Sequence, residues 1–174
     1  MKQNKNLSYK HAHVIATTRG VAFAVIAAIY FILGEVFSEN LWCVYLGFLL
    51  TMALGTGETG EGKIINYLCS FLIGYVYAIL FFSIKSVLSG ILPNLPTVIV
   101  SEFLITFVVI FAHLAIFRES KFNVIPMIFA AVTTVFAAGS ISKVPYYGLS
   151  TIIGILIAFA TDRVIRIVMK KINI

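Results

Sequence analysis

Six apolar runs, separated by short stretches rich in Gly, Pro, Asn or charge, constrain this chain more than any other feature. They fall at about residues 13–35, 41–55, 63–85, 97–117, 123–139 and 144–168. A run of about 20 apolar residues forms a helix that crosses a bilayer and satisfies its own backbone. The runs lack the alternating pattern of barrel strands. The sequence therefore predicts an all-α membrane protein with six transmembrane helices.

Composition supports the bilayer as the solvent of this chain. Hydrophobic residues make up 60% of the 174 residues and charged residues 11%, whereas soluble domains carry about 25% charged residues. No polar segment is long enough for a second, soluble domain. We therefore expect residues 1–174 to form a single integral membrane domain whose first partner is the lipid bilayer.

The basic residues predict the orientation of the chain. With the N-terminus inside, eleven of the thirteen Lys and Arg residues fall on the cytoplasmic side, and only Lys85 and Lys143 fall outside. Such a bias is the usual determinant of topology. The charge distribution predicts a multi-pass protein of the cell inner (cytoplasmic) membrane with both termini cytoplasmic. It does not form the continuous soluble patch that nucleic-acid binding requires, so no nucleic acid is expected as a partner.

The runs divide into two sets of three, approximately residues 13–85 and 97–168, on either side of a Pro-containing loop. The middle run of each set is short. Leu41 to Leu54 and Val124 to Ala138 would reach only about 21–23 Å, less than the hydrocarbon core of about 30 Å. Short or Gly/Pro-interrupted segments at corresponding positions of two halves indicate a substrate pathway. We predict a 3+3 inverted repeat with short second and fifth helices, although coincidence among small-residue helices gives the same pattern.

The stretch TMALGTGETGEGK, residues 51–63, matches two nucleotide-binding patterns. A phosphate-binding P-loop needs Ser or Thr after its Lys and an α/β setting, whereas Ile64 follows here and an apolar run lies on each side. No nucleotide is therefore expected. We interpret Gly55 and Gly57 as irregular backbone at membrane depth, which lines a cavity or packs in protein. The cytoplasmic mouth beside these glycines is predicted from the following residues: Glu58, Glu61 and Lys63.

Polar residues repeat on single faces of several predicted helices. Glu102, Thr106 and His113 lie close to one line of the fourth helix at 100° per residue, and an ionisable group within a membrane helix indicates function. The alternatives are that Glu102 only reaches the outer interface and that His113 and the hydroxyl residues form interhelical hydrogen bonds without a pathway. The other residues predicted to contact a solute or line its pathway are Asn66, Ser70, Tyr147, Thr151, Thr51, Thr133 and Thr134.

Enzymatic and metal-binding patterns are missing from the sequence. No paired carboxylates, no Ser/His/Asp arrangement and no cysteine or histidine cluster with metal-ligand spacing occurs. We therefore predict no enzyme activity, no catalytic residues, no cofactor and no metal.

The segments GFLLTMALGTGETGEGK, NYLCSFLIGYVYAIL and IPMIFAAVTTVFAAGSISKVPYYGLSTIIGILIAF resemble the YcdZ-like family of small bacterial inner-membrane proteins. That family carries a domain of unknown function. The resemblance implies six helices in a bacterial cytoplasmic membrane and supplies no substrate. This chain departs from the family pattern at Glu58 and Glu61 in the first glycine-rich loop.

These features predict an integral membrane channel or transporter for a small polar solute, with its pathway between the two three-helix halves. Mostly uncharged polar lining suits a neutral or weakly ionic solute. Two alternatives remain: a membrane-embedded binding subunit of a larger importer, and a structural or regulatory membrane protein without transport. A bundle this small is also compatible with a homo-oligomer.

Overall fold

The chain is helical almost throughout in a computed structural model that describes residues 2–57, 61–139 and 142–171. Within these residues six helices have 14 or more residues, and a four-residue helix lies between the first two of them. The fifth helix continues directly into a π-helix. In chain order the elements are α1 (Lys2–Ile32), α2 (Glu35–Ser38), α3 (Leu41–Leu54), α4 (Glu61–Ser89), α5 (Asn94–Phe111), the π-helix (Ala112–Ile116), α6 (Ile125–Ala138) and α7 (Val144–Lys171).

Each predicted apolar run is part of a helix. Among the described residues, three helical segments are long and apolar enough to cross a membrane, and they are Tyr9–Ile32, Gly62–Ser89 and Asn94–Ile116. The prediction of an all-α chain is thus confirmed for the described residues, and these three helices make a membrane protein the natural reading of the fold. The two middle runs form apolar helices of 14 residues each, which at 1.5 Å per residue measure about 21 Å. The prediction that these two helices are short is confirmed as well.

Both short helices end at a glycine whose backbone an L-residue rarely adopts. Helix α3 ends at Gly55 with φ 77°, and α6 ends at Gly139 with φ 66°. A residue with a Cβ is disfavoured at positive φ, so glycine is the usual residue at such a helix terminus. Pro126 stands in the first turn of α6, where its missing N–H costs no hydrogen bond. Glycine and proline therefore fix the length of these helices.

The described residues form two compact units that do not coincide with the two halves of the sequence. The first unit contains residues 2–57 and 150–171, and the second contains residues 61–139 and 142–149. The first unit thus combines α1 and α3 with most of α7, while the second combines α4, α5 and α6. Each unit holds the first two helices of one sequence half and the third long helix of the other.

In the first unit, α3 and α7 approach until their backbones touch. A Cβ on Gly154 would overlap the carbonyl oxygen of Val44, and a Cβ on Gly47 would overlap the carbonyl oxygen of Thr151. Without a hydrophobic driving force in lipid, helices associate through such close packing of small residues. Tyr30 of α1 completes the unit, since it packs in an apolar cluster with Val44 and its hydroxyl donates to Ser150 Oγ of α7 at 3.1 Å.

In the second unit, α4 and α6 are packed in the same manner. A Cβ on Gly74 would overlap the carbonyl oxygen of Ile128 and lie 2.6 Å from the Cβ of Ala131. Helix α5 closes this unit through Ile105 and Val109, which pack with Ile128 in one buried cluster. A short helix pressed against a glycine of a long helix is therefore the central contact of both units.

The long helices α4 and α7 share a buried pattern that extends beyond their glycines. Each has a tyrosine, a serine, a glycine and an alanine separated by two, three and three residues, and every one of these residues is buried. The two sets are Tyr67, Ser70, Gly74 and Ala78 in α4, and Tyr147, Ser150, Gly154 and Ala158 in α7. Burial at the same four positions shows that both helices present an equivalent face to their neighbours.

Candidate functional site

The loop after α3 is the irregular backbone that the glycine-rich stretch predicted. Gly55 and Gly57 both have positive φ values, 77° and 75°, and Thr56 between them is buried. The side chain of Thr56, the only one in this three-residue loop, therefore points into the first unit, while the two glycines flank it. Such a turn needs partners for its polar groups, because buried polar groups without hydrogen bonds are costly.

Asp162 of α7 supplies the main partner of this loop. The Thr56 hydroxyl donates a hydrogen bond to the Asp162 carboxylate. Arg19 of α1 donates to the other carboxylate oxygen, with Nη2 3.4 Å from Oδ1. Arg166 lies one turn further along α7, and its Nη1 is 3.7 Å from Asp162 Oδ2. The same nitrogen donates a hydrogen bond to the Gly57 carbonyl oxygen at 2.8 Å. One carboxylate thus joins two helices and the loop.

These four residues, Arg19, Thr56, Asp162 and Arg166, form what we call the Asp162 cluster. Two guanidinium groups face one carboxylate, so the cluster carries one excess positive charge. Its charged side chains are partly buried, with 32%, 21% and 39% of the side-chain surface exposed for Arg19, Asp162 and Arg166. Arg19 lies ten residues inside the apolar segment Tyr9–Ile32, about 15 Å from its start. Its Nε is buried and has no hydrogen-bond partner among the described residues.

The acidic residue that contacts the glycine loop was not among the predicted mouth residues. Glu58 lies outside the described residues, as does the side chain of Glu61, and Lys63 is exposed at the start of α4. Asp162 is the only aspartate of the chain and stands where the last apolar run becomes basic. That position within an apolar run was the available signal, since an ionisable residue there indicates a partner or a function.

The predicted pathway threonines of the first unit serve its packing. Thr51 is fully buried, and its hydroxyl donates to the Gly47 carbonyl oxygen at 2.7 Å, within α3. Thr151 is fully buried at the contact between α7 and Gly47. Thr151 lies where the helix backbones touch, which leaves no room for a solute beside it.

The predicted residues of the second unit divide into buried and accessible ones. Thr134 is buried and donates to the Ala131 carbonyl oxygen at 2.7 Å. Ser70 is buried and bridges to the next element, since its hydroxyl accepts from Val124 N at 3.0 Å. Tyr147 is also buried. Asn66 is half-buried and Thr133 is exposed, so of these five residues only Asn66 and Thr133 retain side chains that a solute could reach.

His113 lies close to the line of Glu102 on the helix, but the two side chains differ in environment, so a pathway common to both stays a prediction. His113 is fully buried, and its Nε2 lies 3.0 Å from the Tyr77 hydroxyl. The buried residues of α5 and the π-helix follow one another at every fourth position. A step of four residues advances about 400°, slightly more than one full turn, so the buried stripe winds slowly around the helix. It reaches the side of the helix on which Glu102 lies only at its last residues. The stripe consists of Thr97, Ser101, Ile105, Val109 and His113.

Glu102 and Thr106 form the remaining polar pair, on an outward face of α5. Thr106 Oγ1 donates to Glu102 Oε1 at 3.3 Å, and Glu102 is exposed. Helix α5 begins at Asn94, so the carboxyl lies eight residues, or about 12 Å, from the helix start. The pair lies in an open groove of about 650 Å³ whose lining is otherwise apolar and consists of Val98, Ile99, Phe103, Phe107 and Ile110.

Comparison of the chain with family models, with curated proteins and with solved structures finds no match. The resemblance to the YcdZ-like family therefore stays a prediction.

Proposed function

We propose that the protein is an integral membrane channel or transporter for a small polar solute. The observation that carries this proposal is the doubled arrangement of a short helix pressed onto a glycine of a long helix, once in each unit. Short membrane helices that end in irregular glycine-containing backbone are typical of solute pathways. Packing alone does not require that both short helices stop about 9 Å short of the hydrocarbon thickness.

We further propose that the two sequence halves are an inverted repeat whose third helices are exchanged between the units. The shared buried pattern of α4 and α7 supports this, because Ser70 and Ser150, and Gly74 and Gly154, stand at equal spacing. A repeat of three helices inserts the second copy in the opposite orientation. The exchange accounts for units that combine α1 and α3 with α7, and α5 and α6 with α4.

The Asp162 cluster is the proposed contact point for the solute at the end of α3. Its surplus guanidinium charge, with the backbone of Gly55 and Gly57, suits a solute that presents a carbonyl, hydroxyl or anionic oxygen. The charge distribution assigns this end to the cytoplasmic side of the inner membrane. The buried threonines Thr51, Thr134 and Thr151 then position the helices, while Asn66 and Thr133 remain candidate contacts with the solute in the second unit.

A flux assay in proteoliposomes tests the proposal. Purified protein is reconstituted, and uptake of small neutral, zwitterionic and anionic solutes is compared with that of empty liposomes. We expect flux for at least one class, and we expect Asp162→Asn to reduce it while Glu119→Gln, an exposed loop substitution, leaves it unchanged. Absence of flux for every class, with folding verified by circular dichroism, would contradict transport.

A structural or regulatory role without transport is the second candidate. It is favoured by Thr51, Ser70 and Thr134, whose hydroxyls all bond to backbone groups within their own unit. Under this role Asp162→Asn changes the thermal stability of the protein, and neither the wild type nor the variant shows flux. The third class, a binding subunit of an importer, requires an energising partner, so co-purification from native membranes with an ATPase would identify it.

A further inference from the structure

Arg19 of α1 has more hydrogen-bond donors than the protein satisfies. A guanidinium group carries five N–H donors, and among the described residues Arg19 makes one hydrogen bond, from Nη2 to Asp162 Oδ1 at 3.4 Å. Charge-assisted bonds of this kind are usually about 2.7–2.9 Å long. The Arg19 Nε is buried without a partner, while 32% of the side-chain surface stays exposed. The carboxylate therefore holds Arg19 in place without engaging most of its donors.

The other members of the Asp162 cluster leave these donors unmatched. Thr56 donates to the second carboxylate oxygen of Asp162, and Arg166 uses Nη1 for the Gly57 carbonyl oxygen at 2.8 Å. Arg166 has donors only, so it adds a second cation to the cluster and no acceptor for Arg19. With one carboxylate between two guanidinium groups, the cluster is complementary to one further negatively charged acceptor.

The position of Asp162 along α7 indicates which acceptors are within reach. No charged residue lies between Lys143 and Asp162, a stretch of eighteen residues that is about 27 Å long as a helix. That length is close to the hydrocarbon thickness of about 30 Å. With this stretch in the bilayer core, Asp162 and Arg19 lie at the edge of the core, at the level of the headgroup phosphates. The residues of α1 before Arg19, among them Lys10, then lie beyond the hydrocarbon.

We propose that the Asp162 cluster binds one phosphate group, with Arg19 as the residue that recognises it. The planar fork of a guanidinium matches two oxygens of a phosphate at once, and basic pockets between membrane helices on the cytoplasmic side are typical sites for anionic headgroups. A phosphodiester carries one negative charge, equal to the excess positive charge of the cluster. A phospholipid headgroup and a phosphate-bearing solute both supply this group. Binding of this kind rests on the membrane setting in the proposed function and requires no transport.

Titration of the purified protein in a nonionic detergent tests phosphate binding. The probes are short-chain phosphatidylglycerol and inorganic phosphate at constant ionic strength, and phosphatidylcholine with the same chains sets the background for added lipid. A ligand that binds only the folded protein raises its melting temperature. Saturable stabilisation by phosphatidylglycerol above background assigns the site to a lipid headgroup, and saturable stabilisation by inorganic phosphate assigns it to a solute. The absence of both would overturn the proposal. Because no flux is measured, this proposal and the transport proposal can fail separately.

Two matched variants test whether Arg19 is the group that binds phosphate. Arg19→Gln removes one guanidinium from the cluster, while Arg118→Gln removes one from an exposed loop position in the second unit. We expect the dissociation constant to rise about tenfold or more in the first variant and to stay unchanged in the second. Arg19→Lys keeps the charge without the fork, so it should bind more weakly than the wild type, and it replaces Arg19→Gln if circular dichroism shows that variant unfolded. Unchanged binding in the Arg19 variants, or an equal loss in Arg118→Gln, would rule out Arg19 as the recognition residue.

Discussion

At the scale of the residue, the Asp162 side chain connects helix α1, helix α7 and the loop after α3 within the first unit. It accepts from Thr56 and faces both Arg19 and Arg166. Removing its charge leaves two guanidinium groups near each other without their counter-ion, although the partial exposure of all three charged groups moderates the cost. The Gly55–Gly57 loop therefore depends on a residue more than one hundred positions away in sequence.

We expect Asp162→Ala to lower the melting temperature of the purified protein. Loss of one charge-assisted hydrogen bond and two partly exposed ion pairs amounts to about 1–3 kcal/mol, or about 2–12 °C for a chain of this size. Thermal unfolding in detergent measures the change. Asp162→Asn, which still accepts from Thr56, should lose less, and Glu119→Gln should lose nothing. Equal melting temperatures for Asp162→Ala and the wild type would show that the cluster does not stabilise the loop.

The buried pair Tyr77 and His113 gives a second prediction at the residue scale. Tyr77→Phe deletes the hydroxyl that lies 3.0 Å from His113 Nε2 and leaves a fully buried ring nitrogen without that partner. An unsatisfied buried group costs about 1–3 kcal/mol. His113→Leu removes the unsatisfied ring nitrogen as well. The loss of stability in the double variant should therefore be smaller than the sum of the losses in the two single variants. Additive losses in melting experiments would show that the pair is not coupled.

At the scale of the element, the contact between a short helix and a glycine is the feature that can be tested directly. A Cβ on Gly154 or Gly74 would overlap backbone atoms, which cannot rotate away as a side chain can. We expect Gly154→Ala and Gly74→Ala each to destabilise the protein by about 1–3 kcal/mol or more through separation of the helices. Far-ultraviolet circular dichroism and thermal melting measure the helix content and the loss.

Gly20→Ala is the matched control for these two variants. Gly20 lies inside helix α1, and a Cβ there would meet nothing within 4 Å. Alanine in a helix interior is about 0.5–1 kcal/mol more favourable than glycine, so this variant should be neutral or slightly stabilised. Equal melting temperatures for Gly154→Ala and Gly20→Ala would refute the tight contact between α3 and α7.

The helices were predictable from the sequence, whereas their partners were not. Apolar runs and helix-ending Gly and Pro residues are local signals, and lipid requires each run to satisfy its own backbone. The short lengths of α3 and α6 followed from such signals. The grouping of α7 with α1 and α3, the difference in environment between His113 and Glu102, and the role of Asp162 all depend on contacts distant in sequence. Only the spacing of Tyr, Ser, Gly and Ala in α4 and α7 could have indicated the shared packing face.

At the scale of the whole molecule, the predicted inverted repeat and the predicted orientation of the chain depend on the same number of membrane crossings. Three helices per half reverse the second half, and an even total returns the C-terminus to the side of the N-terminus. Eleven of thirteen basic residues are then cytoplasmic, which is the bias that orients membrane proteins. We therefore expect both termini in the cytoplasm and the loop at residues 90–93, between α4 and α5, on the outer side.

Reporter fusions test this topology in a bacterial host. Green fluorescent protein folds in the cytoplasm, so it should fluoresce when joined after Ile174. Alkaline phosphatase needs an oxidising compartment, so it should be active when joined after Gly90 and inactive when joined after Ser120. Exchanging the two reporters at each site provides the control, because the signals must then reverse. Six crossings place the 118–121 segment, with Arg118 and Lys121, inside. Phosphatase activity after Ser120 or after Ile174 would indicate an odd number of crossings before that point, and the repeat of three helices would have to be abandoned.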